Sequence, residues 1–186
     1  METYDAIMSR RSVSRVEDRR PEAEAVHKLL DAAVRAPTHH LTQPWRFVVL
    51  AGAAREGLGA AWADALGAQG KDPQGIAAKA TRAPVVICVI ETPKAHLPKV
   101  VELEEHYATG AAMQNILLAA HDLGLGAMLR TGRATELEEV RAYLGVSAGE
   151  LIAGFIYLGY PLQEAGPRPL TRRTEASELT DWRGWT

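Results

Sequence analysis

Three stretches of this 186-residue chain concentrate side chains that can grip an anion or a planar polar ligand. The first is Arg10-Arg11-Ser12-Val13-Ser14-Arg15, arginines and two hydroxyls within one short run. Guanidinium forks match phosphate oxygens, and hydroxyls fill the positions the forks leave, so the run can act as a phosphate clamp. A solvated run of charge has the same composition. The second stretch, Arg35-Ala36-Pro37-Thr38-His39-His40-Leu41-Thr42-Gln43-Pro44-Trp45, sets the donors of Arg35, His39 and Gln43 in a loop bounded by prolines. That rigid frame suits a planar, hydrogen-bonding ligand; turn residues that satisfy one another are the alternative. The third, Arg130-Thr131-Gly132-Arg133, ends an expected strand, where ligand loops commonly sit.

Other chemistries find little support. Cys88 lies inside the apolar run Val85-Val86-Ile87-Cys88-Val89-Ile90, the setting of a buried inert thiol. Six histidines occur without an HExxH or Glu-x-x-His pattern. Glu102 and His106, four apart, read as a surface contact on a helix rather than a metal site. Glu104-Glu105 and Glu138-Glu139 are adjacent on expected helices and point to different sides, which makes poor acid–base partners. Gly124-Leu125-Gly126 follows a helix and precedes a strand, the reverse of a dinucleotide fingerprint, so a helix C-cap is the simpler reading. No catalytic side chain and no metal ligand is assigned.

The whole chain narrows the field further. With 47% apolar and 24% charged residues, it has the composition of a single globular domain. A net charge of -2 gives no reason to expect nucleic acid as a partner. One cysteine excludes an internal disulfide. No signal peptide pattern is visible at the N-terminus, and no apolar run approaches the ~18 residues of a membrane span. A cytoplasmic protein that does not enter a membrane is expected.

The elements that must position the three stretches follow from periodicity. Val26, Leu29, Leu30, Ala33 and Val34 repeat at helical spacing over residues 21–34. Strands are predicted over 45–50, 84–90, 125–130 and 152–158, the second apolar on both faces and so central. Further helices are predicted over 53–67, 76–82 and 102–123, with a loop over 71–75. The middle of the long helix, Ala108-Thr109-Gly110-Ala111-Ala112, is small enough for another backbone to approach, or for close packing on the home sheet. Thr135 with Glu138 reads as a capping box for a helix carrying Leu137, Val140 and Leu144 and stopping at Gly145. From Pro161 the tail reads as an extended arm carrying Arg172 and Arg173. Early helices and widely spaced strands argue for α+β, a sheet flanked by helices.

The three stretches also carry a resemblance. Arg10 to Arg15 resembles the N-terminal R-R-S-x-R element of the FMN-dependent nitroreductase family. Arg35-Ala36-Pro37 through Gln43-Pro44-Trp45-Arg46-Phe47 resembles its A-P…Q-P-W-x-F element. Leu123-Gly124-Leu125-Gly126 is similar to its L-G-L-G turn, and Phe155 to Pro161 to its strand ending in a G-Y-P turn. Four motifs in register, from about residue 4 to 162, cover nearly the whole chain; the spelling is that of a compact subgroup. Where many members carry Asn, this loop has His39 or His40.

The resemblance implies a mostly antiparallel sheet, a homodimer and two FMN sites at the subunit boundary. Arg10, Arg11 and Ser12 would hold the phosphate and ribityl chain from one subunit. His39, with Gln43 and Arg35 nearby, would reach the flavin from the other, and Leu129, Arg130 and Thr131 would line the isoalloxazine. The segment between Trp62 and Pro84 would hold part of a substrate lid. Electrons would pass in ping-pong fashion from NADH or NADPH to a nitroaromatic, quinone or related electrophile. Enone or azo reduction and flavin destruction by the same site, and a non-catalytic flavin-binding module, stay open as alternatives.

Overall fold

Residues 85–91, Val-Val-Ile-Cys-Val-Ile-Glu, are apolar on both faces and need cover on both, so they belong inside a sheet. A computed structural model, which describes residues 1–67, 72–162 and 172–185, places them there. Strands β1 (Trp45–Ala51), β2 (Val85–Glu91), β3 (Gly126–Arg130) and β4 (Leu151–Gly159) form one sheet in the order β1-β2-β4-β3. Every neighbouring pair is antiparallel, and all seven residues of β2 are buried.

Alternate residues of β2 feed two separate cores, as a two-residue side-chain period requires. Val85, Ile87 and Val89 pack with Val26, Leu29 and Ala33 of α2 (Ala23–Ala33) and with Ala112, Ile116 and Ala120 of α5 (Glu102–Asp122). Val86, Cys88 and Ile90 pack with Leu58 of α3 (Ala53–Gly67) and Val140 of α6 (Glu138–Tyr143). Two short helices, α1 (Thr3–Ser9) and α4 (Pro73–Ala77), complete the helical set. The expected α+β arrangement is therefore the one found. The small residues Ala108, Thr109 and Ala112 of α5 are buried against their own sheet. Gly110 is different: a Cβ there would meet nothing within 4 Å. Among the described residues, no helix is long and apolar enough to cross a membrane.

Two expectations need correction. The short helix predicted over 76–82 runs instead over Pro73–Ala77, with turn and bend over residues 78–82. Asp72 caps it, its carboxylate accepting from the backbone N–H of Gln74 at 3.1 Å and of Gly75 at 3.0 Å, and Pro73 takes the first helical position. Most of the loop predicted over 71–75 is thus helix, although Lys71 lies outside the described residues. The capping box of Thr135 and Glu138 does not form. Gly132, at φ 101°, starts a 3-10 turn over Arg133–Thr135, and the Thr135 hydroxyl donates back to the Gly132 carbonyl at 2.9 Å. That commits Thr135 before α6 begins. The stop is as expected: Gly145 is left-handed, and Val146 N–H donates to the Arg141 carbonyl at 2.9 Å. Gly124 ends α5 in the same way, with Leu125 N–H on the Ala120 carbonyl at 2.8 Å.

The tail begins beside the N-terminal segment, with Pro161 bridging to Val16 and Leu162 N–H donating to the Arg15 carbonyl. Residues 163–171 of the expected arm lie outside the described residues. Residues 172–185 are exposed, with one 3-10 turn at Ala176–Leu179.

Candidate functional site

The arginine cluster is seated by missing side chains. Gly126 of β3 pairs with Gly159 of β4, and the segment after α1 crosses over that pair. A Cβ on Gly126 would stand 2.8 Å from Val13 Cγ1, and one on Gly159 would stand 2.9 Å from Val16 Cβ. The two glycines therefore form the slot that holds residues 13–16. Backbone bonds fix it there, from Val13 N–H to the Ala127 carbonyl at 3.0 Å and from Glu17 N–H to the Tyr160 carbonyl at 2.8 Å. Arg10 ends α1, half-buried, and Arg11 and Ser12 are exposed just beyond.

The cluster lies at the C-terminal end of α5. Ser9 Oγ is 2.8 Å from His121 Nε2, and the terminal amine of Met1 pairs with Asp122 Oδ1 at 2.8 Å. Partial burial holds the His121 imidazole below its usual range. The positive charges of Arg10 and Arg11 push it further down, and Asp122 opposes them. A field of this sign suits an anionic ligand. A test follows from the sign of the shift. A phosphate ester bound by Arg10 and Arg11 would offset their charge, so the imidazolium becomes less disfavoured and the titration midpoint of His121 rises. Proton NMR of the imidazole with and without saturating FMN reads this directly. An unmoved midpoint in the loaded protein would place the phosphate elsewhere.

The second stretch has an unusual backbone. His40, Leu41 and Gln43 hold φ values of 52, 53 and 47°, in the left-handed region that disfavours residues with side chains. The first turns of α5 grip this loop. Thr42 Oγ1 donates to Glu105 Oε1 at 2.6 Å, Thr109 Oγ1 donates to the Pro44 carbonyl at 3.3 Å, and His39 Nδ1 stands 3.1 Å from Glu104 Oε2. Glu105 and Thr109 are buried; Arg35, His39 and Gln43 are exposed. Sequence reasoning missed Glu105. Its signal was its place among the inward positions of α5, with Ala108, Thr109 and Ala112.

At the end of β3, Leu129 and Arg130 point to opposite faces. Leu129 packs partly into the α2–α5 core, over Gly154, where a Cβ would come within 2.8 Å of Leu129 Cδ1 and 3.2 Å of the Arg130 carbonyl. The Arg130 guanidinium lies 5.5 Å from the centre of the Tyr157 ring. The Arg130 Nε and the Tyr157 hydroxyl are both buried without a hydrogen-bond partner, and burial pushes the phenol up to about 12. Thr131 is exposed.

Within one chain these groups divide in two. The arginine cluster runs along β3, whose end carries Leu129 to Thr131. The His39 loop sits at the other end of α5. Sixteen residues separate Glu105 from His121 on α5, which at 1.5 Å per residue is about 24 Å. Exposed apolar side chains lie near both ends: Tyr4, Ile7 and Met8 on α1, Leu103 and Tyr107 on α5.

The remaining candidates stay structural. Burial pushes the Cys88 thiol up to about 12, as an inert side chain requires. The expected contact of Glu102 with His106 is replaced. His106 Nδ1 lies 2.5 Å from Oε1 of the buried Glu91, whose carboxyl is raised by burial against the opposing pull of His106. A buried carboxylate needs a partner more than an exposed one, which decides the choice. Among the described residues, no group of three or more His, Cys, Asp or Glu can hold a metal.

An antiparallel sheet between two helical layers, with an arginine run seated on paired glycines, defines a protein of the α+β class. The chain belongs to the nitroreductase family, whose family model matches residues 7–160. It is 34% identical over 168 residues to Escherichia coli YdjA, provisionally named an NAD(P)H nitroreductase, covering 89% of this chain and 91% of that one. A nitroreductase-like family protein from Bacillus cereus superposes with a TM-score of 0.85 at 25% identity, over 99% of this chain and 97% of that one. A protein from Desulfovibrio desulfuricans, provisionally named a nitroreductase and solved in complex with FMN, gives a TM-score of 0.71 at 30% identity, over 100% and 99%.

Proposed function

We propose that the protein is an FMN-dependent oxidoreductase that moves two electrons from NADH or NADPH to a nitroaromatic, quinone or related electrophile. The observation that carries this reading is the paired positive charge of Arg10 and Arg11 beside His121, in a chain of the nitroreductase family. The residues fit FMN. A cationic cluster suits its phosphate, and the buried Arg130 Nε lacks a partner. FMN held by these residues would supply the redox chemistry, acceptance of hydride from the nicotinamide and donation of two electrons to the oxidant.

The chain then binds and orients. Arg10 and Arg11 neutralise the phosphate, and Ser12 donates to it or to the ribityl chain. Leu129, Arg130 and Thr131 line the isoalloxazine, with the positive charge of Arg130 favouring negative charge on the ring system. No protein acid or nucleophile is required, and none is assigned.

The site is completed by a second copy. His39, Gln43 and Arg35 approach from the partner, since the arginine cluster and the His39 loop are about 24 Å apart along α5. The exposed apolar side chains of α1 and α5 supply a surface for a symmetric homodimer. We take residues 1–186 as one domain with a C-terminal arm from about 161, in a cytoplasmic setting that supplies NAD(P)H.

Purification tests the proposal. The protein should be yellow, release FMN rather than FAD on denaturation, and consume NADH or NADPH when a nitroarene or quinone is added. A colourless protein that also fails to bind added FMN would sink it. Bound FMN without turnover would mark a binding module instead.

A further inference from the structure

The left-handed backbone at His40, Leu41 and Gln43 is unstable by itself, because each residue carries a Cβ that crowds its own carbonyl. Such a shape persists only where its surroundings over-determine it. Leu41 is 83% exposed and contributes no core packing, so the restraint must come from elsewhere. Thr109 and Glu104 hold the ends of the loop, and one carboxylate holds its centre. Glu105 is 0% exposed, and both of its oxygens are used. Oε1 accepts from the Thr42 hydroxyl at 2.6 Å, and Oε2 accepts from Lys94 N–H at 3.0 Å. Thr42 lies between Leu41 and Gln43, so the bond ties down the centre of the strained run. A carboxylate so buried is costly unless fully hydrogen-bonded, and its two bonds join the His39 loop to the segment after β2.

We propose that Glu105 is a positioning residue: from the buried face of α5 it locks the His39–Gln43 loop in the left-handed shape in which that loop meets the flavin. This rests on the reading that His39 and Gln43 contact FMN. Glu105 itself touches no ligand. It acts by keeping the loop competent, and a loop competent for only a fraction of the time lowers apparent affinity by that fraction. The bland alternative is that Glu105 only ties residues 92–94 to α5, and Thr42 is incidental.

Thr42→Val separates the two. It keeps the shape of the side chain and removes only the loop's bond, leaving Lys94 on Glu105. Two readouts are taken on the 186-residue chain: amide hydrogen exchange across residues 39–43 in flavin-free protein, and the dissociation constant for FMN. With Thr42→Val, exchange in the loop should rise and FMN should bind about tenfold more weakly. Glu105→Ala should do at least as much. Glu105→Gln should stay near the parent, because a carboxamide oxygen can accept from Lys94 while its NH2 donates to the Thr42 hydroxyl. If Glu105→Ala fails to fold, Thr42→Val decides. Unchanged loop exchange in Thr42→Val overturns the proposal, as does raised exchange with an unchanged FMN constant. Raised exchange in a protein whose parent binds no FMN would leave the lock standing and overturn the flavin reading instead.

Discussion

Replacing Arg10 and Ser12 together by alanine should weaken FMN binding by tenfold or more while leaving the thermal unfolding of the flavin-free protein close to that of the parent. A hydrogen bond involving a charged group contributes about 1.5–3 kcal/mol, and about 1.4 kcal/mol is a factor of ten. Losing even one such bond reaches that threshold. The fold should survive, because Ser12 is exposed and Arg10 only half-buried, while the segment behind them is held by Val13, Val16 and the Gly126–Gly159 slot. Fluorescence titration with FMN gives the affinity. The His121 midpoint supplies an internal check: losing the Arg10 charge should move it up without any ligand, since Arg10 is one of the charges holding it down. An unchanged FMN constant in a variant whose His121 has moved would return the cluster to a solvated run of charge.

The second large effect concerns assembly. If each flavin touches both chains, a mixed dimer of one Arg10→Ala subunit and one His39→Ala subunit should recover about half of the parental flavin occupancy. One of its sites then carries both lesions and the other carries none. The Arg10→Ala homodimer and the His39→Ala homodimer each have two singly damaged sites and should bind poorly. The about 24 Å between the two clusters along α5 is why intact sites reappear only across a boundary. A symmetric dimer also links ligand to assembly, so added FMN should lower the subunit dissociation constant by mass action. Two equally impaired sites in the mixed dimer would place Arg10 and His39 in one chain's site. A monomer that holds FMN would remove the shared site altogether.

Much of this fold is written in short-range pattern. β2 is apolar on both faces and had to be central, and α5 repeats small and apolar residues at helical spacing. Gly124 and Gly145 stop their helices where left-handed residues were needed. The misses share one cause, a local motif overruled by its neighbours. Thr135 looks like a cap, but Gly132 turns the chain first and engages it. His106 looks like a partner for Glu102, but the buried Glu91 has the stronger need for it. Asp72 capped a helix whose first turn reads as a loop from its proline and glycine. The site was legible only in part. Arginines and hydroxyls in one run suggest an anion site from sequence alone, whereas the slot beneath them depends on two glycines that pair only across the sheet. Glu105 was harder still: its partner Thr42 lies 63 residues away, in a loop whose backbone shape no side-chain pattern specifies.

The central claim is that electrons pass through a flavin in two separable halves, and one anaerobic experiment addresses it. FMN-loaded protein is mixed with NADH, and in parallel with NADPH, with oxygen and all other oxidants removed. The visible flavin absorbance should bleach with at least one donor. After the nicotinamide is removed by gel filtration, a nitroarene or quinone added alone should restore the absorbance. Bleaching by neither donor, or restoration that requires the nicotinamide to be present, would contradict the account.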